Sequence, residues 1–266
     1  MELEEILERI VTIIPKIDKE IEVPRTKNGN QYIPCVGTAN ETTFVRTLMQ
    51  RWKSDFPSEL SQVVVENRSK ECPEGSLEIH YDLEKFSGPS ADVGFSTSSS
   101  SIENDIEWLI EFKKIEFVGD IGGKSRHQEV AIAKLFSPFL SHTKGVLHDI
   151  HRIISHPLGR RRAVIIYACS LDESLIEHSK NHPRRKEQIH PDKTIDRGEQ
   201  FRKLMKSANN QPFSLLPMLT PFEVMCKDLN FKLGKRVHRQ FSNLENHPIY
   251  VQGDIVAWEV LGDSSA

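Results

Sequence analysis

The sequence predicts an α/β domain, a sheet with helices packed against it, carrying a C-terminal elaboration after about residue 171. Three observations predict it. Apolar residues recur at helical spacing over 2–14, 41–55 and 125–141, while the stretch between the last two changes to the alternation and short β-branched runs of strands. A nearly continuous apolar run at 162–170 (RAVIIYACS) suits a strand covered on both faces. With 266 residues, 38% of them apolar and 27% charged, the chain is long enough for one large domain and has an ordinary globular composition.

Taken in order, Leu3, Ile6, Leu7, Ile10, Val11 and Ile14 form one helical stripe, which Pro15 and Pro24 are expected to interrupt. Asn28-Gly29 marks a loop or hairpin. Asn40 is placed to cap a helix over 41–55, whose stripe is Phe44, Val45, Leu48, Met49 and Trp52 and which Phe56-Pro57 closes. Strands are expected at 62–66, 76–83, 91–97 and 107–118, antiparallel where short turns join them, with a polar exposed loop at 96–105. Helices follow at 125–141 and 146–155, then the strand at 162–170, a basic loop at 178–193, helices at 195–207 and 221–230, and a last strand at 249–261. The chain thus divides into an N-terminal helix and loop (1–37), a core (38–170) and a C-terminal elaboration packed on it and contacting DNA (171–266).

The formal charge of −3 hides an asymmetry: residues 1–120 sum to −10 and residues 121–266 to +7. An acidic half facing a basic one is compatible with a metal-binding surface beside a phosphate-binding one. No apolar run approaches the roughly 18 residues that cross a bilayer, and MELEEILERI resembles neither a signal nor a transit peptide. A cytoplasmic protein without a membrane partner is expected. Cysteines at 35, 72, 169 and 226 form no CxxC pair, which argues against zinc and against a disulfide framework. His148 and His151 read as part of a solvated helix face.

The feature that carries chemistry is Pro89-Ser90-Ala91-Asp92, followed nineteen positions after Asp92 by Glu111-Phe112-Lys113. In a strand, residues i and i+2 project from one face, so Glu111 and Lys113 point together while Phe112 packs on the other side. If the strand carrying Asp92 pairs alongside, two carboxylates and an ammonium meet. Oxygen ligands of that kind hold Mg²⁺, which polarises a phosphoryl oxygen and acidifies bound water, and a neighbouring ammonium stabilises charge building in the transition state. Alternating Glu and Lys also arise on a merely wet strand face. Here Leu109 and Ile110 make the entry apolar on both faces, so the charges begin where burial should persist, and buried charges need a partner or an ion.

The order helix (41–55), strands, Ser-Ala-Asp at 90–92, Glu-Phe-Lys at 111–113, helix (125–141) and strand (162–170) resembles the PD-(D/E)xK nuclease superfamily, the restriction endonuclease-like fold. The resemblance spans roughly residues 38–170, and Ala91 stands where the family name has proline. It implies an αβββαβ core with a central mixed sheet flanked by helices, a divalent metal, Asp92 and Glu111 as its ligands, and Lys113 as the catalytic cation. It also implies roles for Glu41 as an additional acid and for Gln128 as a helper to the metal or the DNA backbone, although a first-turn carboxylate accounts for Glu41 equally well. Glycine-rich 119–124 lacks Walker spacing and reads as a turn.

The expectation is a Mg²⁺-dependent endonuclease (Mn²⁺ able to substitute) acting on double-stranded DNA, a type II restriction or other defence nuclease, as a homodimer where both strands are cut. Alternatives are a repair, recombination or RNA-directed nuclease on the same core, and a non-catalytic nucleic-acid-binding module. Candidate phosphate contacts are Lys124 and Arg126; Arg160, Arg161 and Arg162; Arg184, Arg185 and Lys186; and Lys235, Arg236 and Arg239; any one cluster alone is more often a solvated face, and their shared place in the basic half is what favours contact.

Overall fold

Helix α1 (Leu3–Ile17) buries Leu3, Ile6, Leu7, Ile10, Ile13, Ile14 and Ile17 along one side. The computed structural model describes residues 1–22, 33–60, 62–65, 92–96, 106–117, 128–137, 145–154, 160–186, 188–190, 193–194 and 196–261. Pro15 stands inside α1 and does not end it. A proline there forfeits one backbone hydrogen bond in the final turn, and the buried Ile13, Ile14 and Ile17 carry the helix past it. Helix α2 (Glu41–Asp55) starts where its cap predicts: the Asn40 side chain accepts from Thr43 N at 2.7 Å.

Seven strands make one mixed sheet. They are β1 (Gln62–Val65), β2 (Val93–Ser96), β3 (Trp108–Lys114), β4 (Arg161–Cys169), β7 (Lys232–Leu233), β8 (Val237–Phe241) and β9 (Gly253–Leu261). The order across it is β1-β2-β3-β4-β9, with β7 and β8 sharing the far edge of β9. β1 and β2 pair antiparallel, as do β2 and β3, while β3 and β4 run parallel and β9 returns antiparallel to β4. A parallel pair needs a crossover, and α3 (Gln128–Phe136) and α4 (Val146–Ile154) lie between β3 and β4 in the chain.

Side chains on the two faces of β3 and β4 fill different cores. Trp108, Ile110, Phe112, Ala163, Ile165 and Tyr167 meet α1 and α2. Leu109, Ile115, Val164, Ile166 and Ala168 meet α3, α4, α6 (Arg197–Ser207) and α7 (Leu216–Asp228). Burial on both faces explains the unbroken apolar run of β4. The part of the chain beyond residue 170 contributes β9, which runs beside β4 from Ala163 to Cys169 within the sheet itself.

Several sequence expectations change in detail. The basic stretch at 178–193 holds the end of α5 (Leu175–Asn181), a 3₁₀ turn at Pro183–Lys186, and a hairpin-like pair β5 (Gln188–His190) and β6 (Lys193–Thr194). Its helix hides in sequence because α5 buries only Leu175 and Ser179. Helix α7 begins five residues before Pro221, with Pro217 in the first turn, where a proline lacks nothing the helix uses. The last strand begins at Gly253; Ile249 and Tyr250 are buried but lie outside it. The strand expected at 76–83 and the glycine-rich turn at 119–124 lie outside the described residues. Among the described residues, no helix is long and apolar enough to cross a membrane.

Candidate active site

The β2–β3 register sets Val93 opposite Ile110, and one further step sets Asp92 opposite Glu111. Opposed residues project from the same face. Two hydrogen bonds lock the pair: Glu111 Oε2 accepts from Asp92 N at 3.2 Å, and Asp92 Oδ2 accepts from Phe112 N at 2.9 Å. Among the described residues β2 runs no further along β3, so the next amide on that edge, Lys114 N, is met by a side chain as well. It donates to Glu41 Oε2 at 2.9 Å. Two carboxylates therefore close the edge of β3 where a strand would otherwise lie.

The other face of the site is built by α4. Its buried side consists of Val146, Leu147, Ile150 and Ile153 together with Asp149 and Arg152. The two charged residues are three apart, hence neighbours on one helical face. Asp149 Oδ2 lies 2.7 Å from Lys113 Nζ, and Glu41 Oε1 lies 3.4 Å from the same ammonium. Arg152 Nη2 pairs with Glu111 Oε1 and stands 3.5 Å from Asp149 Oδ1. Glu41, Lys113, Asp149, Arg152 and Glu111 thus form a chain of charges alternating in sign, with Asp92 beside its end. Glu111 and Asp149 are 1% exposed, Asp92 7%, and Lys113 and Arg152 8%.

Burial shapes the electrostatics. The Glu111 carboxyl is pushed well above the usual carboxylate range by burial, and then by Asp92 and Asp149, against the opposing pull of Arg152 and Lys113. Burial raises Asp149 too, opposed by Lys113 and Arg152. For Lys113 burial is the largest influence and acts downward, but Glu41 and Asp149 outweigh it and hold the ammonium above its ordinary range. Lys114 leaves the cluster: its Nζ donates to Gly37 O at 2.6 Å and Ala39 O at 2.8 Å.

The structure therefore brings together four residues that the sequence singles out, Glu41, Asp92, Glu111 and Lys113. Two members, Asp149 and Arg152, were not singled out. A signal for them existed, since both interrupt the apolar stripe of VLHDIHRII at positions that helical spacing buries. Gln128 opens α3, with its side chain outside the described residues, as are Lys124 and Arg126.

The remaining basic candidates stand elsewhere. The Arg161 guanidinium makes two 2.9 Å bonds to Glu259, reaches Glu2 at 3.0 Å, and lies 4.0 Å above the Trp108 ring, on the α1 side of the sheet. Arg162 is half-buried and pairs in register with Leu109, which puts it on the Glu111 face, whereas Arg160 is exposed. Arg184 donates to Asn246 O at 3.3 Å and Arg185 to Lys180 O. Arg236 lies 3.6 Å from Glu223, Arg239 lies 2.5 Å from Glu8, and Lys186 and Lys235 are exposed. Cys35 and Cys226 are buried free thiols, and Cys169 is a partly buried one.

Among the described residues no three His, Cys, Asp or Glu side chains converge as a ready-made metal cage. The chemistry of the donors nevertheless fits a hard divalent cation. Four carboxyl groups face two cations, all but Glu41 buried; burial first, and for Glu111 then the neighbouring Asp92 and Asp149, raises the carboxyls of Glu111 and Asp149, a cost that a bound cation would relieve.

Comparison with protein-family models, with curated proteins and with solved structures finds no match. Fold and site by themselves define the class: a mixed α/β protein with a buried array of alternating acids and bases where its central parallel strand pair meets α2 and α4.

Proposed function

We propose that the protein is a metal-dependent endonuclease that hydrolyses phosphodiester bonds in double-stranded DNA, with the restriction endonuclease-like core as its fold. The observation that carries this reading is the meeting of Asp92, Glu111 and Lys113 in one buried cluster, supplied by β3 and by the residue that leads into β2. The element order α2-β1-β2-β3-α3-α4-β4 supports it as well.

Asp92 and Glu111 would hold the divalent cation, Mg²⁺ with Mn²⁺ as a substitute; once bound, it supplies Lewis-acid polarisation of the phosphoryl oxygen and a more acidic water. Lys113 orients the attacking water and offsets negative charge gathering on the phosphate. Asp149 and Glu41 fix the ammonium, so that it stays charged despite its burial. The basic half of the chain supplies phosphate contacts, and a homodimer supplies the second site that cutting both strands calls for. The biological setting that suits these parts is restriction or another defence against foreign DNA.

One observation favours a second reading. Both Glu111 oxygens already accept hydrogen bonds, from Asp92 N and from Arg152, which suits a nucleic-acid-binding module that performs no chemistry. Incubating the purified protein with a defined plasmid, with Mg²⁺ and then with EDTA, separates the two. Metal-dependent discrete fragments are expected; a smear marks a nonspecific nuclease, and binding without cutting marks the module. An RNA substrate run in parallel tests the RNA-directed alternative. Lys113→Ala is expected to abolish cutting and retain DNA binding, and undiminished cutting by that variant overturns the assignment.

A further inference from the structure

Arg152 is the one group in the cluster that the proposed chemistry leaves without a task. It is 8% exposed and rises from a buried face of α4 that is apolar apart from Asp149, and its guanidinium lies between Glu111 and Asp149. Burying a charged array is seldom a gain in stability over apolar residues of the same volume. The place of Arg152 between two carboxylates of the cluster suits a use besides packing.

Resting on the endonuclease reading, we propose that Arg152 is a built-in counter-ion for the metal position: its guanidinium holds Glu111 while no divalent ion is bound, gives that carboxylate up when one arrives, and then grips the substrate phosphate. Three features argue for it. Arg152 sits on Glu111 Oε1, a carboxylate oxygen that a divalent ion would need, so the two cations compete for one atom. The guanidinium is a planar fork of donors that matches phosphate oxygens as well as it matches a carboxylate, so release from Glu111 does not leave it without a use. Asp149, 3.5 Å away, keeps a hold on the head group and limits how far it travels. The same Asp149 carboxylate anchors Lys113 at 2.7 Å, so the exchange at Glu111 leaves the second cation of the site in place.

This assignment separates Arg152 from a residue that only supports the fold, because it makes metal binding and cleavage change in opposite directions. The test is calorimetric titration of the DNA-free protein with Mn²⁺, alongside cleavage of duplex DNA and a melting curve, for wild type and Arg152→Gln. Removing a competing positive charge is expected to tighten Mn²⁺ binding about tenfold, while loss of the phosphate clamp slows cleavage about a hundredfold. Mn²⁺ affinity that is unchanged or weaker in a folded Arg152→Gln overturns the inference and leaves the nuclease reading standing. A wild type that binds no Mn²⁺ and cuts nothing overturns both.

Should Arg152→Gln not fold, Arg152→Lys carries the test. It keeps the charge and loses the fork, so Mn²⁺ affinity close to wild type with cleavage down about tenfold is expected. Full activity in Arg152→Lys overturns the phosphate-gripping part of the assignment.

Discussion

His247 is 1% exposed, its Nδ1 accepts from Ile249 N at 3.2 Å, and its ring stacks on Tyr250 with centroids 4.5 Å apart. Burial, followed by the charges of Arg197, His182 and Arg184, holds its pKa well below the ordinary 6.5. The folded state therefore refuses a proton that the unfolded chain takes up. Stability from this neutral ring is fully present above about pH 6.5 and is lost as the pH falls toward the folded value, by about 1.4 kcal/mol per pH unit once the unfolded form is protonated. Melting temperatures measured from pH 7 down to pH 5 should fall for wild type and fall less for His247→Asn, which keeps an acceptor near Nδ1; parallel curves would dismiss the idea. Reading single residues from sequence works unevenly, and the site shows why. Asp92, Glu111 and Lys113 were legible because strand geometry puts i and i+2 on one face and because charge in an apolar strand is conspicuous. Asp149 and Arg152 carry the same kind of anomaly, spread over a helical turn among histidines, where alternating polar residues are ordinary.

At the scale of elements, β9 is the clearest case of tight packing against β4. A Cβ added at Gly253 would stand 2.2 Å from Ala168 O and 2.3 Å from the Phe241 ring, so neither the backbone of β4 nor the side chain of β8 leaves room. Gly253→Ala is expected to cost about 1–3 kcal/mol through overpacking, read as a lower midpoint in urea with an unchanged slope; a midpoint equal to wild type would show that the strands part freely. Elements were legible where one period dominated: α1 and α2, with their apolar stripes, and β4, with its unbroken run. They were lost where tertiary context decides. Pro15 was expected to end α1, yet the isoleucines on either side are buried and hold the turn. Helix α5 shows the converse, since only two of its residues are buried and its exterior of Lys, His and Glu looks like a loop.

For the molecule as a whole, the sheet binds the two ends of the chain together. β4 is flanked by β3 on one side and β9 on the other, and α1 packs against the sheet face to which β4 and β9 both contribute. Truncation after residue 170 would strip β4 of its antiparallel neighbour and expose a long apolar edge, the kind that recruits other chains. The fragment is expected to be insoluble or to lack cooperative melting in circular dichroism, and a soluble fragment with a sharp transition would prove the C-terminal third separable. The opposite part of the sheet manages its edge differently, with Asp92 and Glu41 receiving the amides of Phe112 and Lys114. In the proposed nuclease Asp92 would do two jobs, as a metal ligand and as the acceptor that keeps the Phe112 amide from intermolecular pairing. An inactive Asp92→Ala protein could thus owe its failure to clumping, whereas Asp92→Asn, whose carbonyl still receives the amide, isolates the loss of charge. Amide replacements, judged by light scattering before any assay, are the informative way to dissect this centre.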